Sequence, residues 1–121
     1  MLTTLVPTVH YADLAVGIDL FVDGLGLDVL HEDDDLVVVG KEGVKLCLAR
    51  DPDLAAGERP ELGVETDDID GVFADVSARR PDLLHPNLSR PTMRPWGARE
   101  FALLDATTVA VVLREWPVSG T

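Results

Sequence analysis

The side chains that could carry out chemistry are few in this sequence and lie far apart along it. The three histidines, His10, His31 and His85, fall on or beside different predicted strands, and a lone histidine is more often a satisfied or solvated residue than a base or ligand. The single cysteine, Cys47, lies in an apolar run, where it is more often a small buried side chain than a nucleophile. No Ser-His-Asp or Cys-His pattern is present, so the sequence shows no machinery for catalysis.

A tryptophan at a rigid corner is the strongest candidate for a binding residue. Pro95 restricts the residue before it to extended conformations, and Gly97 permits a turn that a residue with a Cβ resists. Trp96 is therefore presented at a bend that leads into a mostly apolar strand. An indole at such a corner either closes a core or forms the wall of a groove, where it can stack on a planar ligand.

The chain is strongly acidic. Its 121 residues carry 10 Lys and Arg against 22 Asp and Glu, a formal charge of −12, which repels phosphate backbones and anionic lipid surfaces. Neither nucleic acid nor a membrane is therefore expected as a partner, and no apolar run approaches the roughly 18 residues that a membrane span needs. One cysteine cannot form an intramolecular disulfide and the N-terminus lacks a secretion signal, so a cytoplasmic location is expected.

The elements that must position these side chains follow the same order twice. The first half predicts a strand, a helix and three further strands, at residues 2–10, 14–23, 28–30, 36–39 and 44–48. Residues 49–60 carry no periodicity and are predicted to be an exposed connection. The second half predicts a strand at residues 62–66, a helix capped by Asp67 or Asp68, and strands at residues 83–85, 100–104 and 109–114, with a long loop over residues 86–97.

A constant offset of 55 residues relates the first strand, the helix and the next strand of the two halves. It places Val9 on Val64 and Leu14 on Ile69, and agreement over three consecutive elements predicts a duplicated βαβββ unit. The predicted fold class is α+β, with two βαβββ modules that form curved mixed sheets around a concave groove and carry their helices on the outer face. We expect a single domain over residues 1–121, with module one at about 1–50, the connection at about 51–60 and module two at about 61–121.

The topology and four motifs resemble the vicinal oxygen chelate superfamily, which includes glyoxalases, extradiol dioxygenases and bleomycin-resistance proteins. The motifs are Tyr11-Ala12-Asp13-Leu14, Leu25-Gly26-Leu27, Thr66-Asp67-Asp68-Ile69-Asp70 and the stretch from Trp96 to Asp105. The resemblance covers nearly the whole chain. The sequence departs from the family at Asp105-Ala106-Thr107-Thr108, where relatives usually carry an Asp-Pro-x-Gly-Asn turn.

The resemblance also implies where a metal would be held. Metalloenzymes of the superfamily bind a divalent cation through four groove-facing side chains, which come from the first and last strands of each module. The matching positions here are Val6, Cys47, Glu61 and Val112. Valine offers no lone pair, so this set cannot form the oxygen and nitrogen shell that such a cation needs, and no metal or other cofactor is expected.

The stretch around Trp96 most resembles the metal-free bleomycin-resistance proteins, relative to which Ala98 is an insertion. This resemblance implies an antibiotic-binding resistance protein, and not an enzyme, that sequesters a bulky aromatic natural product of the bleomycin, mitomycin, enediyne or anthraquinone type. It implies grooves at the interface of a homodimer, in which the family often exchanges the N-terminal strand. The alternative is an enzyme of the glyoxalase or dioxygenase kind, either metal-independent or with an atypical metal set that includes Glu61 and His10. A third hypothesis is a structural or regulatory partner protein whose groove is unused.

The resemblance and the strand parity together nominate the residues that would line the groove. Trp96 matches the groove tryptophan of the family, and Leu36 falls where relatives often carry an aromatic residue. Strand parity with Val6 and Glu61 selects further residues on the first and last strands of each module. The remaining predicted ligand contacts are Thr8, His10, Cys47, Ala49, Glu61, Gly63 and Glu65 on the strands, Pro91, Thr92 and Met93 in a mobile lip, and Phe101.

Overall fold

The chain folds into two units with the same order of elements, and the boundary falls between Pro60 and Glu61. The computed structural model describes residues 1–118. Each unit contains one four-stranded mixed sheet, and its main elements follow the order strand, helix, strand, strand, strand. The predicted α+β class and the duplicated βαβββ design are therefore confirmed. No helix within residues 1–118 is long and apolar enough to span a membrane.

The first unit pairs its first strand with its last. Its strands are β1 (Thr8–Tyr11), β2 (Asp28–Glu32), β3 (Leu36–Lys41) and β4 (Val44–Arg50), and its helices are α1 (Leu14–Ile18), continued by a π-helical segment (Asp19–Gly24), and α2 (Pro52–Ala55). β1 runs parallel to β4, whereas β3 is antiparallel to both β4 and β2, so the order across the sheet is β1-β4-β3-β2. The three predicted strands of this meander are confirmed, and each continues beyond its predicted end.

Alternation along these strands separates a core side from the opposite face. Val9 and Tyr11 of β1 are buried, and so are Val37 and Val39 of β3. Gly17 of α1 lies directly against the Tyr11 ring, since a Cβ at this position would come within 2.6 Å of Tyr11 Cε2. The helix can approach the sheet this closely because position 17 has no side chain.

The first helix begins as predicted and ends differently. Asp13 caps it, because the Asp13 carboxylate accepts a hydrogen bond from a first-turn N–H at 3.0 Å. The predicted α-helix over residues 14–23 is only partly correct: the α-helical pattern ends at Ile18 and wider bonds follow, such as Leu25 N to Leu20 O at 2.9 Å. Leu20 and Phe21 lie in the core, and Gly17 and Gly24 are buried on the same side of the helix.

Two predictions at the margins of the first unit are wrong. Residues 2–7 are not part of a strand, and β1 begins at Thr8, because Pro7 has no N–H to contribute to a ladder. The Pro7 carbonyl instead accepts from a β4 backbone N–H at 2.9 Å. The connection predicted at residues 49–60 contains the end of β4 and the single turn of α2, which Asp51 caps.

The second unit repeats the arrangement. Its strands are β5 (Glu61–Glu65), β6 (Thr92–Met93), β7 (Arg99–Leu104) and β8 (Ala110–Glu115), and its helix is α3 (Ile69–Arg79), followed by a 3-10 turn (Pro81–Leu83). β5 is parallel to β8, and β7 is antiparallel to β8 and β6, so the order β5-β8-β7-β6 matches that of the first unit. Asp68 caps α3 through Gly71 N at 3.0 Å, which confirms the predicted helix start. Phe73 of α3 meets Phe101 of β7 edge to face, with 5.3 Å between ring centroids.

The strand predicted at residues 83–85 is wrong. Leu83 ends the 3-10 turn, and Leu84 forms an isolated bridge with Leu103. Pro81 and Pro86 flank this segment and have no N–H to donate, which prevents a regular ladder. β6, inside the predicted loop of residues 86–97, takes the edge position of the sheet instead.

The final turn is built around Asp105. Its carboxylate is buried, and Oδ1 accepts from Thr107 N, Thr107 Oγ1 and Val109 N at 2.7, 2.8 and 3.1 Å. Thr108 adopts a positive φ of 71°, a conformation that glycine takes more readily. The departure from the family's turn therefore changes the chemistry of the turn, while β7 and β8 keep their predicted bounds to within one residue.

An ion pair between α3 and β7 gives the second unit a dependence on pH. Arg99 donates to both carboxylate oxygens of Asp70 at 2.9 and 3.0 Å, and these hydrogen bonds hold the pKa of Asp70 below its usual value of 3.8. A lowered pKa in the folded state contributes stability above the unfolded pKa, and this contribution is lost as pH falls through the folded pKa.

We expect Arg99→Gln to lower the free energy of unfolding in urea at about pH 6 and to have a smaller effect at about pH 2. Arg90→Gln, at an exposed arginine, is the control, and an Arg99→Gln effect that does not vary with pH would contradict the pairing.

Candidate functional site

One face of the first sheet gathers five of the residues predicted to bind a ligand. Thr8 pairs with Cys47 across β1 and β4, and His10 pairs with Ala49, which pairs in turn with Leu36 of β3. These residues alternate with the buried side chains of the core side, so they share the opposite face, which we call the open face. Thr8 is exposed and the other four are half-buried. The register therefore brings these residues together, as parity predicts for all of them except Leu36, which the resemblance nominated.

The second sheet presents an equivalent open face. Glu61, Gly63 and Glu65 of β5 are exposed along it. Gly63 lies opposite Val112 of β8, which is the position that the repeat relates to Cys47 of the first sheet. The duplication therefore extends to the register of the strands that carry the candidate site.

Trp96 lies in a tight turn immediately before β7. Gly97 N donates to Arg94 O at 2.9 Å, and Arg94 N donates to Ala98 O at 2.8 Å. Gly97 has a φ of +94°, which residues with a side chain rarely adopt. Trp96 is 51% exposed, whereas Ala98 is fully buried. The predicted corner is therefore confirmed; it turns the indole outward and buries the inserted alanine.

A buried carboxylate sets the direction of this indole. Glu100 of β7 is 3% exposed, and its Oε2 accepts from Trp96 Nε1 at 3.0 Å and from Arg114 Nε on β8. A buried carboxylate needs such partners, because it has lost its hydration. Sequence reasoning missed both Glu100 and Arg114. The only sign was a glutamate and an arginine within two apolar strands, which become neighbours once the register is known.

Arg94 lies over the ring of Trp96. Its Cζ is 5.0 Å from the ring centroid, which is a cation–π distance. Its Nε is 3.7 Å from Glu100 Oε1, beyond hydrogen-bond length. This Nε is buried and has no hydrogen-bond partner within the described residues. Arg94 therefore occupies one face of the indole without completing its own hydrogen bonds.

A second tryptophan belongs to the same row of charges. Glu65, Arg114 and Glu100 lie side by side on β5, β8 and β7. Trp116, just beyond β8, donates from Nε1 to Glu65 Oε2 at 2.7 Å and is 46% exposed. The carboxylates at the two ends of the row, Glu65 and Glu100, therefore each accept a hydrogen bond from one half-exposed indole. Nothing in the sequence pointed to Trp116, because its contact joins residues 51 positions apart.

Two predicted contacts lie on the other side of the second sheet. Phe101 is fully buried against the ring of Phe73 on α3, so it belongs to the core and does not reach the open face. Met93 is exposed, but it pairs with Arg99, whose guanidinium reaches α3, so Met93 lies on the helix side. Thr92 pairs with Glu100 and stays on the open face. The predicted lip is a short strand at these two residues.

Two of the three histidines make local contacts. His31 Nε2 lies 2.8 Å from Asp33 Oδ2, and this hydrogen bond lowers the pKa of Asp33 below its usual value of 3.8. His85 Nδ1 accepts from Asn87 N at 3.1 Å. These contacts organise the segments in which the two residues lie.

The positions that match the family's metal ligands do not fit a divalent cation. Val6 precedes β1 and Val112 lies within β8, and neither side chain has an atom that can coordinate a metal. Cys47 and Glu61 offer one thiol and one carboxylate, from different units. Residues 1–118 contain no group of three or more His, Cys, Asp or Glu side chains placed to hold a metal ion.

Solved structures share this fold. A bleomycin-binding protein in complex with bleomycin has a TM-score of 0.77 and 16% identity, over 96% of this chain and 100% of that chain. A bleomycin-binding protein from Streptomyces verticillus, in complex with copper(II)-bleomycin, has a TM-score of 0.75 and 18% identity over 98% of each chain. A lactoylglutathione lyase from Agrobacterium tumefaciens has a TM-score of 0.70 and 16% identity over 93% of each chain. No protein-family model matches the sequence, and no curated protein sequence is significantly similar to it. The chain thus shares the fold of these bleomycin-binding proteins and of this lyase, which is the fold that its motifs predict.

We expect protein purified without chelators to contain no stoichiometric divalent metal, because valine occupies two of the four matching positions. The metal content per subunit is measured by elemental analysis, first on the purified protein and again after incubation with zinc followed by dialysis. Glu61→Gln is the control variant, since Glu61 is the matching position with a carboxylate. One tightly held cation per subunit that Glu61→Gln removes would contradict the expectation.

Proposed function

We propose that this protein binds a bulky aromatic natural product with antibiotic activity and holds it away from its target without converting it chemically. The observation that carries the proposal is the half-exposed indole of Trp96, which Glu100 and the Gly97 turn hold in one direction. The fold supports it as well, because bleomycin-binding proteins have the same fold.

A fixed and exposed indole suits the recognition of flat ligands. Its side-chain entropy is already reduced before binding, so less is lost when a ligand arrives. Stacking of aromatic rings adds about 0.5–1.5 kcal/mol beyond the burial of their area. Trp116, at the other end of the row that contains Glu65 and Glu100, is a second surface of the same kind.

The open face of the first sheet supplies a largely apolar surface for the same purpose. Leu36, Cys47 and Ala49 are half-buried there, and Thr8 and His10 add polar groups. A mainly apolar surface with a few polar groups is typical of small-molecule sites. Leu36 in place of an aromatic residue favours ligands beyond bleomycin itself, so we include mitomycin-type, enediyne-type and anthraquinone-type compounds.

We also propose that Glu61, Gly63, Glu65 and Thr92 on the open face of the second sheet contact the ligand. Phe101 and Met93, which the sequence also predicted, are left out of this proposal. Phe101 lies in the core and Met93 lies on the helix side of the sheet.

Binding without catalysis is favoured by what the reactive side chains do. Glu100 is engaged by Arg114 and Trp96, and Asp105 organises the final turn. The metal-matching positions offer two valines. The lactoylglutathione lyase of the same fold keeps an enzyme as the alternative, and such an activity would need a base or a metal set that does not depend on the two valines.

We extend the proposal to a cytoplasmic homodimer in which the chain acts as one domain and the ligand grooves lie at the subunit interface. The segment before β1 supports this, because Leu2 and Leu5 are 100% and 87% exposed. Apolar side chains at this exposure gain free energy when a second subunit covers them. Exchange of this segment between subunits is part of the proposal.

Trp96→Ala should weaken binding of these compounds by at least about tenfold, because it removes both stacking and buried ring area. Trp96→Phe keeps a ring but loses the hydrogen bond to Glu100, so we expect a smaller loss. Calorimetric titration with bleomycin-type, mitomycin-type and anthraquinone-type compounds measures the affinity. Thermal unfolding of the same samples is the control, and the melting temperature should fall little, because Arg114 still pairs with Glu100.

Two results would count against this proposal. Unchanged affinity together with a large fall in melting temperature would make Trp96 a structural residue and move the site elsewhere. Failure of the wild-type protein to bind any compound of the three types would contradict the proposed class of ligand.

The wild-type protein should scatter light as a dimer, at about twice the 13.1 kDa of one chain, at micromolar concentration. Leu5→Ser should raise the dimer dissociation constant at least about tenfold, because one buried leucine contributes roughly 1.5–3 kcal/mol. Leu54→Ser, on α2 and 58% exposed, is the matched control and should change little. A wild-type monomer, or equal effects of the two substitutions, would contradict the proposed interface.

A further inference from the structure

We propose that Arg94 is the resident cation of a subsite formed by Trp96 and Glu100, and that a positively charged group on the ligand takes its place. The inference rests on the proposed function, because it uses the Trp96 ring as the surface that receives the ligand. The ligand class that it selects is a planar aromatic compound that carries an ammonium, amidinium or guanidinium group.

Both parts of this subsite attract cations. The face of the Trp96 ring is electron-rich, and the Arg94 guanidinium already lies 5.0 Å from its centroid. Beside the ring, the Glu100 carboxylate is 3% exposed, and its attraction for a nearby charge is stronger there than in water. An aromatic face next to a buried carboxylate is an environment that recognises organic cations.

Arg94 fills the subsite poorly. The 3.7 Å between Arg94 Nε and Glu100 Oε1 is too long for a hydrogen bond. The same Nε has lost its hydration and has no replacement partner within residues 1–118, which is a cost to the protein. A ligand cation that is free to adjust its position can donate to Oε1 at about 2.8 Å. The exchange returns the Arg94 guanidinium to water.

Departure of Arg94 leaves the rest of the subsite in place. Glu100 Oε2 keeps its hydrogen bonds from Trp96 Nε1 and Arg114 Nε, so the carboxylate keeps one cationic partner and the indole keeps its direction. Arg94 lies in the turn between β6 and β7, and its side chain is 35% exposed. It can therefore swing outward without breaking a strand.

The sign of the charge on the ligand decides whether the displacement of Arg94 is favourable. A planar cation replaces one positive charge by another beside Glu100, whereas a planar anion that displaced Arg94 would meet the carboxylate. The formal charge of −12 on the chain favours approach of the same cationic ligands. Arg94 therefore acts as a specificity residue that only a well-placed cation displaces.

Arg94→Gln tests the displacement with two planar probes of opposite charge. We expect this variant to bind the cation 9-aminoacridine about tenfold more tightly than the wild type does, because a competing cation–π contact and a weak ion pair are removed. It should gain no affinity for the anion acridine-9-carboxylate. Arg90→Gln makes the same change in net charge and should alter either affinity less than about twofold. Calorimetric titration gives the affinities.

The location of binding is read from tryptophan fluorescence in a Trp116→Phe background, which leaves Trp96 as the single indole of a chain with two. Quenching of Trp96 by 9-aminoacridine is expected with both arginine and glutamine at position 94. Arg94→Met, which keeps an apolar stem and loses the charge, should repeat the gain and guards against an effect peculiar to glutamine. Thermal unfolding confirms that each variant is folded.

The outcomes separate this inference from the function on which it rests. If the wild type binds the probes and quenches Trp96, but Arg94→Gln gains no affinity for the cation, the inference alone is overturned. Equal gains for both probes, or equal gains in Arg94→Gln and Arg90→Gln, overturn it too, because they indicate steering by net charge. If no variant binds either probe, the inference and the Trp96 site both fail.

Discussion

A carboxylate that is removed from water has to be neutralised by groups of the protein, and Glu100 imposes this requirement on the second sheet. Arg114 on the neighbouring strand and Trp96 in the corner before β7 both donate hydrogen bonds to Glu100 Oε2. Because one carboxylate binds both groups, the pairing of β7 with β8 and the direction of the indole are coupled. Strand register and the candidate binding surface are therefore parts of one network.

The acidity of the chain has structural uses beyond solubility. Asp13, Asp51 and Asp68 accept hydrogen bonds from the free N–H groups at the starts of three helices. Asp105 organises the last hairpin, and Asp70 ties α3 to β7 through Arg99. Net charge alone suggests a solvated surface, but these carboxylates cap helices, organise a turn and connect elements.

The features that the sequence predicts well depend on neighbouring residues. The cap at Asp68 and the apolar runs of β3 and β4 are local patterns, and the parity of β1 and β4 correctly brings Thr8 opposite Cys47. The prediction for Phe101 did not come from parity, and the side of the sheet on which Phe101 lies depends on the packing of α3 against β7.

The features that it predicts poorly depend on pairing or on a change of helical form. β6 has two residues, and its partner β7, more than propensity, defines it as a strand. The α-helical bonding of α1 ends at Ile18 and a π-helical segment continues it to Gly24, a change that the local apolar pattern does not indicate. The contact between Glu100 and Arg114 requires the register of a hairpin, which composition and spacing along one strand do not contain.

Each sheet draws all four of its strands from one unit, with the first and last strands as parallel neighbours. The backbone ladders of both units are therefore complete on either side of the junction at Pro60 and Glu61. A gene for a half-length chain could be copied and joined in tandem at this point without interrupting a ladder. Each copy could then diverge separately, which agrees with tryptophans in the second half alone and the only cysteine in the first.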